Sequence, residues 1–348
     1  MKAAVIKSPG VIAVEEVPTP KPAAGEVLLK VDMAALCGTD QRVLRGEKHV
    51  DVSIIGHEIA ATVVALGKGA APELLNTRVA VQTVVGCGLC RACRSHRQIF
   101  CSEGFKAIGY AWDGGFAEYM IMPRLAVEQG CLIPLPDDMS SAVGTMLEPI
   151  SCCVNGLRHL PIESMQHVAI MGAGIIGVFN GLVAKARGAK TVSMINRSQP
   201  KLDLIKNLGL PFDHLINSSE TDAVAWINEI TAGRGVDGVV CSASAKSLVD
   251  PALHMLAMGG HLSLFAGFDK ANPYESIDLN VIHYKELHVH GANSSVRRDY
   301  LDAIDLIESG GIDPEALATH TFALGDINDA IRAQADPDVD SLKILVKP

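Results

Sequence analysis

A chain of 348 residues, 48% hydrophobic and 20% charged, is long enough for two domains with substantial cores at the usual size of about 100–200 residues per domain. Its formal net charge is −9 and no basic run exceeds pairs such as Arg297-Arg298, so a polyanionic partner is excluded and no nucleic acid is expected. Aromatic content of 4% likewise argues against a stacking surface for bases or sugars.

The opening Met1-Lys2-Ala3-Ala4-Val5-Ile6-Lys7 breaks its apolar stretch with charge too early for a signal peptide. No segment offers the roughly 18 consecutive apolar residues of a membrane span. A cytoplasmic protein with no membrane partner is expected. In that reducing setting nine cysteines are ligands or buried thiols rather than bridges.

Residues 1 to about 150 carry short β-rich stretches among frequent Gly and Pro, for example Glu26–Val31, Ala60–Leu66 and Phe116–Ile121. This texture predicts a compact all-β or barrel-like unit. Within it, Cys87, Cys90, Cys93 and Cys101 follow the spacing C-x2-C-x2-C-x7-C. Four thiolates so close along one lobe, residues 86–102, are suited to a closed tetrahedral zinc site of structural type. A pair of disulfides or a buried cysteine cluster are the alternatives. Cys131, Cys152, Cys153 and Cys241 have no partner at ligand spacing and are expected to be small buried hydrophobes.

From about 155 the pattern changes to alternating strand and helix: His167–Met171, a glycine turn, a helix to Arg187, the strand Thr191–Ile195, then Val236–Val240, a helix near 248–258, and strands Gly260–Phe265 and Leu287–His290. That alternation predicts a doubly wound parallel sheet. A helix near Tyr300–Glu308 and a closing strand Leu342–Val346 follow, and are assigned back to the first domain. The expected organisation is residues 1–154 and 293–348 in one domain and 155–292 in the other.

Gly172-Ala173-Gly174-Ile175-Ile176-Gly177 stands directly after an apolar strand and opens a helix, the context in which G-x-G-x-x-G binds a dinucleotide. Gly172 permits the tight turn, Gly174 lets a pyrophosphate approach the backbone, and Gly177 allows the helix to pack closely. At the end of the second strand, where an Asp or Glu would accept hydrogen bonds from the ribose hydroxyls and repel a 2′-phosphate, the chain has Asn196 followed by Arg197 and Ser198, with Lys201 nearby. A neutral amide, a fixed cation and a hydroxyl favour NADP(H) over NAD(H), with NAD(H) still possible.

Three further segments are each weak alone: Cys37-Gly38-Thr39-Asp40, Gly56-His57-Glu58 and Leu147-Glu148-Pro149. Together with the cysteine quartet, the glycine turn, Gly114–Tyr119 and His283–Leu287, they resemble the zinc-dependent medium-chain dehydrogenase/reductase family, in its polyol or sorbitol-dehydrogenase-like branch. The resemblance covers the whole chain. It implies a GroES-like catalytic domain carrying the structural-zinc lobe, a Rossmann nucleotide domain, a cleft between them, and a homodimer or homotetramer.

It also implies a catalytic zinc ligated by Cys37 and His57, with Glu58 and Glu148 sharing the carboxylate position, and hence two zinc ions per chain. Asp40 would orient the imidazole of His57. A Lewis-acidic ion there would bring the pKa of a secondary alcohol toward neutrality so that hydride can pass to nicotinamide. Thr39 is placed to take the hydroxyl proton. Some relatives have a histidine five residues after the ligand cysteine as proton exit; here it is Arg42, with His49 as a substitute.

Glu148, where simple-alcohol relatives have a cysteine, points to a polyhydroxylated small molecule: a polyol, sugar, cyclitol or sugar phosphate. A threonine-3-dehydrogenase-like activity and a non-catalytic nicotinamide-binding regulator are the competing expectations. Tyr110, Trp112 and Asp113 are candidate substrate contacts and Asn293-Ser294-Ser295 a candidate nicotinamide lining. The remaining histidines, such as His254, His261 and His320, are expected to be core or surface residues.

Overall fold

The computed structural model describes residues 1–269, 271–336 and 338–348. The chain divides into two compact units, one of Met1–Ser151, Ser294–Ile304 and Pro314–Pro348, the other of Cys152–Asn293 and Asp305–Asp313.

The first unit is built on the strand Val27–Ala35, which is buried except at Lys30, Asp32 and Met33 and so reads as an apolar run with polar interruptions. On one side it pairs antiparallel with Glu58–Leu66, from Val27↔Leu66 to Ala35↔Glu58. On the other it is met by Tyr119–Met122 at its first half and by Lys343–Lys347 at its end, where Ala35 faces Leu345. Arg78–Val81, Leu132–Pro134 and the edge strand Ala318–Ala323 complete the seven strands. Leu29, Val31, Ile59, Phe116, Met120, Met122, Ile344 and Val346 fill the core between them. Each such side chain stabilises the unit by about 1.5–3 kcal/mol.

The register has a direct consequence for chemistry. Because Ala35 pairs with Glu58, the turn after the first strand, carrying Cys37, and the turn before the second, carrying His57, emerge at the same end of the sheet.

The β-only expectation for residues 1–150 misses the helix Ser141–Leu157, 17 residues long with Pro149 inside it. Glu148-Pro149 therefore lies mid-helix. Pro149 has no N–H for the carbonyl of Thr145, one turn earlier.

The second unit holds six parallel strands in the order His214–Asn217, Thr191–Asn196, His167–Met171, Val236–Cys241, Leu256–Leu264, His288–Gly291. Numbered along the chain, that order is 3-2-1-4-5-6, the dinucleotide-binding topology in which strand order reverses beside the first strand. Val168, Ile170, Val192, Ile195, Val239 and Leu262 are buried, as a sheet covered on both faces requires.

Residues 305–313, left with the first domain in the sequence reading, group with this unit. Ile312 is buried there, and Gly311 is tight enough against Ala186 that an added Cβ would lie 3.0 Å from the alanine's own. Among the described residues no helix is long and apolar enough to cross a membrane.

Candidate metal centres and nucleotide turn

The four lobe cysteines converge. Sγ of Cys93 lies 3.9 Å from that of Cys87 and 3.5 Å from that of Cys90, and Cys90 Sγ lies 4.0 Å from Cys101 Sγ. A tetrahedron with bonds of about 2.3 Å puts its sulfurs about 3.8 Å apart, so the quartet fits zinc as it stands. No cysteine of the chain is in a disulfide.

Backbone N–H groups of Leu89 and Cys90 donate to Cys87 Sγ at 3.4 and 3.3 Å, and that of Cys87 donates to Cys101 Sγ at 3.3 Å. Such bonds favour thiolates: backbone N–H groups hold Cys87 below its ordinary value and bring Cys90 down to about 5, while burial pushes Cys93 up to about 12. Gly86 leaves the room needed, since a Cβ there would lie 2.3 Å from Cys93 Sγ.

A second group of donors forms at the end of the main sheet: the Cys37 thiol, the His57 imidazole and the Glu58 carboxylate, with ligand atoms all within 4.8 Å of one another. Cys37 caps the short helix Gly38–Leu44, and its N–H donates to Asp40 Oδ2 at 2.8 Å. Asp40 is fully buried and turns Oδ1 to within 3.4 Å of His57 Nδ1. One carboxylate thus ties the cysteine turn to the imidazole.

Burial alone would draw His57 down, but Asp40 and Cys37 outweigh it and raise the imidazole well above its ordinary value. Tyr110 stacks obliquely on His57, its hydroxyl 3.0 Å from Nδ1 and also bonded to Thr39. Thr39 Oγ1 in turn lies 3.7 Å from Cys37 Sγ.

Lys343, which the sequence reading passed over, is a buried lysine 1% exposed in the closing strand. Its Nζ donates to Leu36 O at 3.1 Å and forms an ion pair with Glu58 Oε2, which has no well-aligned hydrogen bond of its own. Burial raises Glu58 to about 7 against the pull of that ammonium, with Glu148 adding to the rise. Glu148 is buried and felt electrostatically by Glu58 and Lys343, yet it stands outside the three-donor group.

Cys37, Asp40, Glu58 and Glu148 are four acidic groups set against two basic ones here, the Lys343 ammonium and the His57 imidazole. A divalent cation held by sulfur, nitrogen and oxygen would complete the charge, so these residues fit a catalytic zinc.

Other candidates from the sequence fall elsewhere. Asp113 is exposed and accepts from the Ile54 N–H at 3.3 Å, holding a turn, and Trp112 packs on the core. Ser295 is buried with its hydroxyl 2.8 Å from that of Ser151. His49 has a side chain 90% exposed and faces Asp51, and Arg42 faces Glu47. Cys131, Cys153 and Cys241 are fully buried and Cys152 is half-buried.

In the second unit Gly172 adopts φ +108°. Its N–H donates to Ile195 O at 2.8 Å. The Ala173 N–H donates to Asn196 Oδ1 at 3.2 Å, so the residue at the second strand's end holds the glycine turn in place. Gly174 caps the helix Ile175–Ala186 without a side-chain partner, and an added Cβ there would meet nothing within 4 Å. The N–H groups of Ile175, Ile176 and Gly177 have no intrahelical acceptor, and they open onto that space. Gly177, by contrast, admits no Cβ at all, because Gly172 O would lie 1.7 Å away. Asn196 Nδ2 donates to Ser198 O, Arg197 is exposed beside it, and Lys201 lies in the first turn of the next helix, Gln199–Asn207.

Residues 23–137 match the alcohol dehydrogenase GroES-like domain, and residues 176–309 match the zinc-binding dehydrogenase family. The chain is 30% identical to the sorbitol dehydrogenase of Bacillus subtilis (strain 168), over 100% of its own length and 97% of that protein's. It is 31% identical to the L-threonine 3-dehydrogenase of Thermococcus kodakarensis, over 88% and 86%. The chain belongs to the zinc-dependent medium-chain dehydrogenase/reductase family.

Among solved structures of this family, a zinc-binding dehydrogenase of Sinorhizobium meliloti 1021 bound to NADP superposes with a TM-score of 0.90 at 28% identity, covering 100% of this chain and 99% of that one. A medium-chain dehydrogenase with both donor clusters and the glycine turn is an oxidoreductase of the zinc- and NAD(P)-dependent alcohol dehydrogenase class.

Proposed function

We propose that the protein interconverts a secondary alcohol of a polyol, sugar, cyclitol or sugar phosphate with its ketone, using NADP(H) in preference to NAD(H). The observation that carries this reading is the donor set of a half-buried Cys37 with buried His57 and Glu58, and Glu148 close enough to perturb Glu58.

Zinc held by those donors supplies a Lewis acid toward the substrate hydroxyl, and the nicotinamide supplies a hydride acceptor or donor. The remaining work belongs to the chain. Asp40 holds His57 and the Cys37 backbone in one orientation. Thr39, bonded to Tyr110, relays the substrate hydroxyl proton, accepting it at Oγ1 as its own hydroxyl proton passes on toward the cofactor ribose or solvent. Lys343 restrains Glu58 by one carboxylate oxygen. Gly172, Gly174 and Gly177 shape the turn for a pyrophosphate at the N–H groups of Ile175 and Ile176. Asn196, Arg197, Ser198 and Lys201 form a neutral-to-cationic edge suited to a 2′-phosphate.

Oxidation of an amino alcohol is a second reading, supported by the likeness to the T. kodakarensis threonine dehydrogenase. Initial rates over a panel of polyols, cyclitols, sugar phosphates and L-threonine with both cofactors separate the two. A rate confined to L-threonine would replace the first reading with the second, and near-exclusive use of NAD would overturn the cofactor assignment. Exposed Met258, Leu279 and Tyr284 in the second unit leave apolar surface for another copy. That surface supports a homodimer or homotetramer, which light scattering tests directly.

A further inference from the structure

Four of the chain's histidines gather on one face of the six-stranded sheet, at its edge. Parallel pairing sets His261 beside His288 and Ser263 beside His290, so all four side chains leave the same face. Ser263 Oγ donates to Gly156 O at 3.0 Å, which brings the end of the Ser141–Leu157 helix, and His159 just beyond it, over that face. His261 and His288 rings stack at 4.5 Å between centroids, His261 and His290 at 5.4 Å, and His159 and His290 at 5.6 Å. Three chain segments far apart in sequence thus meet through imidazoles, none of them a residue of the glycine turn or of either zinc group.

Within this cluster His261 Nδ1 and His290 Nε2 are 3.2 Å apart. Two nitrogens bound to one tetrahedral ion at about 2.0–2.1 Å would be about 3.3 Å apart. From this geometry we infer that His261 and His290, with His288 as third ligand, form a binding site for a borderline divalent cation of the zinc, nickel or copper type.

In the structure the two nitrogens share a hydrogen bond, and the ion would take the place of the proton between them. His288 is exposed on the edge strand, so rotation about its side-chain bonds brings a nitrogen to the ion, and water completes the coordination. His261 also lines an open cavity of about 170 Å³ with Pro161, Ser164 and Asp237, through which an ion can enter. Bound there, the cation would clamp the edge strand His288–Gly291 to its neighbour Leu256–Leu264.

The test counts metal in the untagged holoprotein. Dialysis against micromolar free zinc, followed by elemental analysis, is expected to give a third equivalent per chain above the two of the cysteine quartet and the Cys37 group. The double variant His261→Gln, His290→Gln is expected to fall to two while binding nicotinamide cofactor as before. The single variants His288→Gln and His290→Gln, each milder to the fold, are expected to weaken the third equivalent by about tenfold or more. Two equivalents in the unaltered protein, or a third that survives the double substitution, overturns the assignment.

Discussion

The residue that most changes the picture of the donor cluster is Lys343. Lysine is among the residues least often fully buried, and here it is 1% exposed against an equally buried Glu58. Replacing Lys343 by Met leaves a carboxylate without its counter-charge and is expected to cost about 3–5 kcal/mol, read as a lower urea midpoint, with Lys343→Arg recovering most of it. An unchanged midpoint in the Met variant would show the pair contributes nothing.

At the ligands themselves, Cys37→Ser or His57→Ala is expected to abolish turnover while cofactor affinity stays within about twofold, as fluorescence titration of the reduced nicotinamide would report. At the adenosine end, Asn196→Asp sets a carboxylate where a 2′-phosphate would lie. It is expected to lower kcat/KM for NADP by at least about tenfold, roughly 1.4 kcal/mol, and to spare NAD. The sequence brought forward Cys37, His57 and Glu58, which do meet, because Cys-Gly-Thr-Asp and Gly-His-Glu are local patterns. Lys343 stayed hidden because nothing near it in the chain marks it, and Tyr110, expected as a substrate contact, instead stacks on His57. A lysine between Leu342 and Ile344 looks like any strand charge until pairing with Val27–Ala35 carries it inward.

Elements show the same division between local and distant information. Five of the six parallel strands of the second unit were legible, the central ones because burial on both faces makes them apolar runs, whereas the half-buried edge strand His214–Asn217 was missed. The helix Ser141–Leu157 was not, since Gly144, Pro149 and β-branched residues depress its propensity and it forms against tertiary packing. Its buried Met146, Leu147, Ile150 and Val154 supply the stabilisation that propensity lacks.

The glycine turn allows the roles of two identical residues to be separated by experiment. Gly177→Ala forces a Cβ onto the Gly172 carbonyl and is expected to destabilise the second unit and abolish nucleotide binding together. Gly174→Ala meets open space in the unliganded protein and is expected to keep stability within about 1 kcal/mol while weakening the nucleotide. Equal losses of stability in both variants would mean that Gly174 serves the turn and not the pyrophosphate.

On the scale of the whole molecule, metal and nucleotide chemistry are segregated along the chain. Both zinc-type clusters consist of residues between Cys37 and Cys101, all in the first unit, whereas the glycine turn and its strands lie wholly in the second. Each unit has its own buried cluster, around Leu29 and Phe116 in one and Val239 and Leu253 in the other. Stabilising terms of different origin therefore act on different cores. Stripping zinc with a strong chelator leaves the lobe thiolates in close mutual repulsion and the Cys37 group with uncompensated buried charge, and both penalties fall on the first unit. Calorimetry of chelated protein carrying His261→Gln and His290→Gln, which removes the proposed third site, is expected to resolve two transitions, the first lowered and the second close to that of the same variant with zinc bound. Cofactor at a hundredfold excess over its Kd adds about 2.7 kcal/mol to whichever state binds it, and should raise the second transition alone. If chelated protein instead melted in one step that moved as a whole with added cofactor, the two cores would be a single cooperative unit, and zinc would stabilise the nucleotide sheet as much as its own.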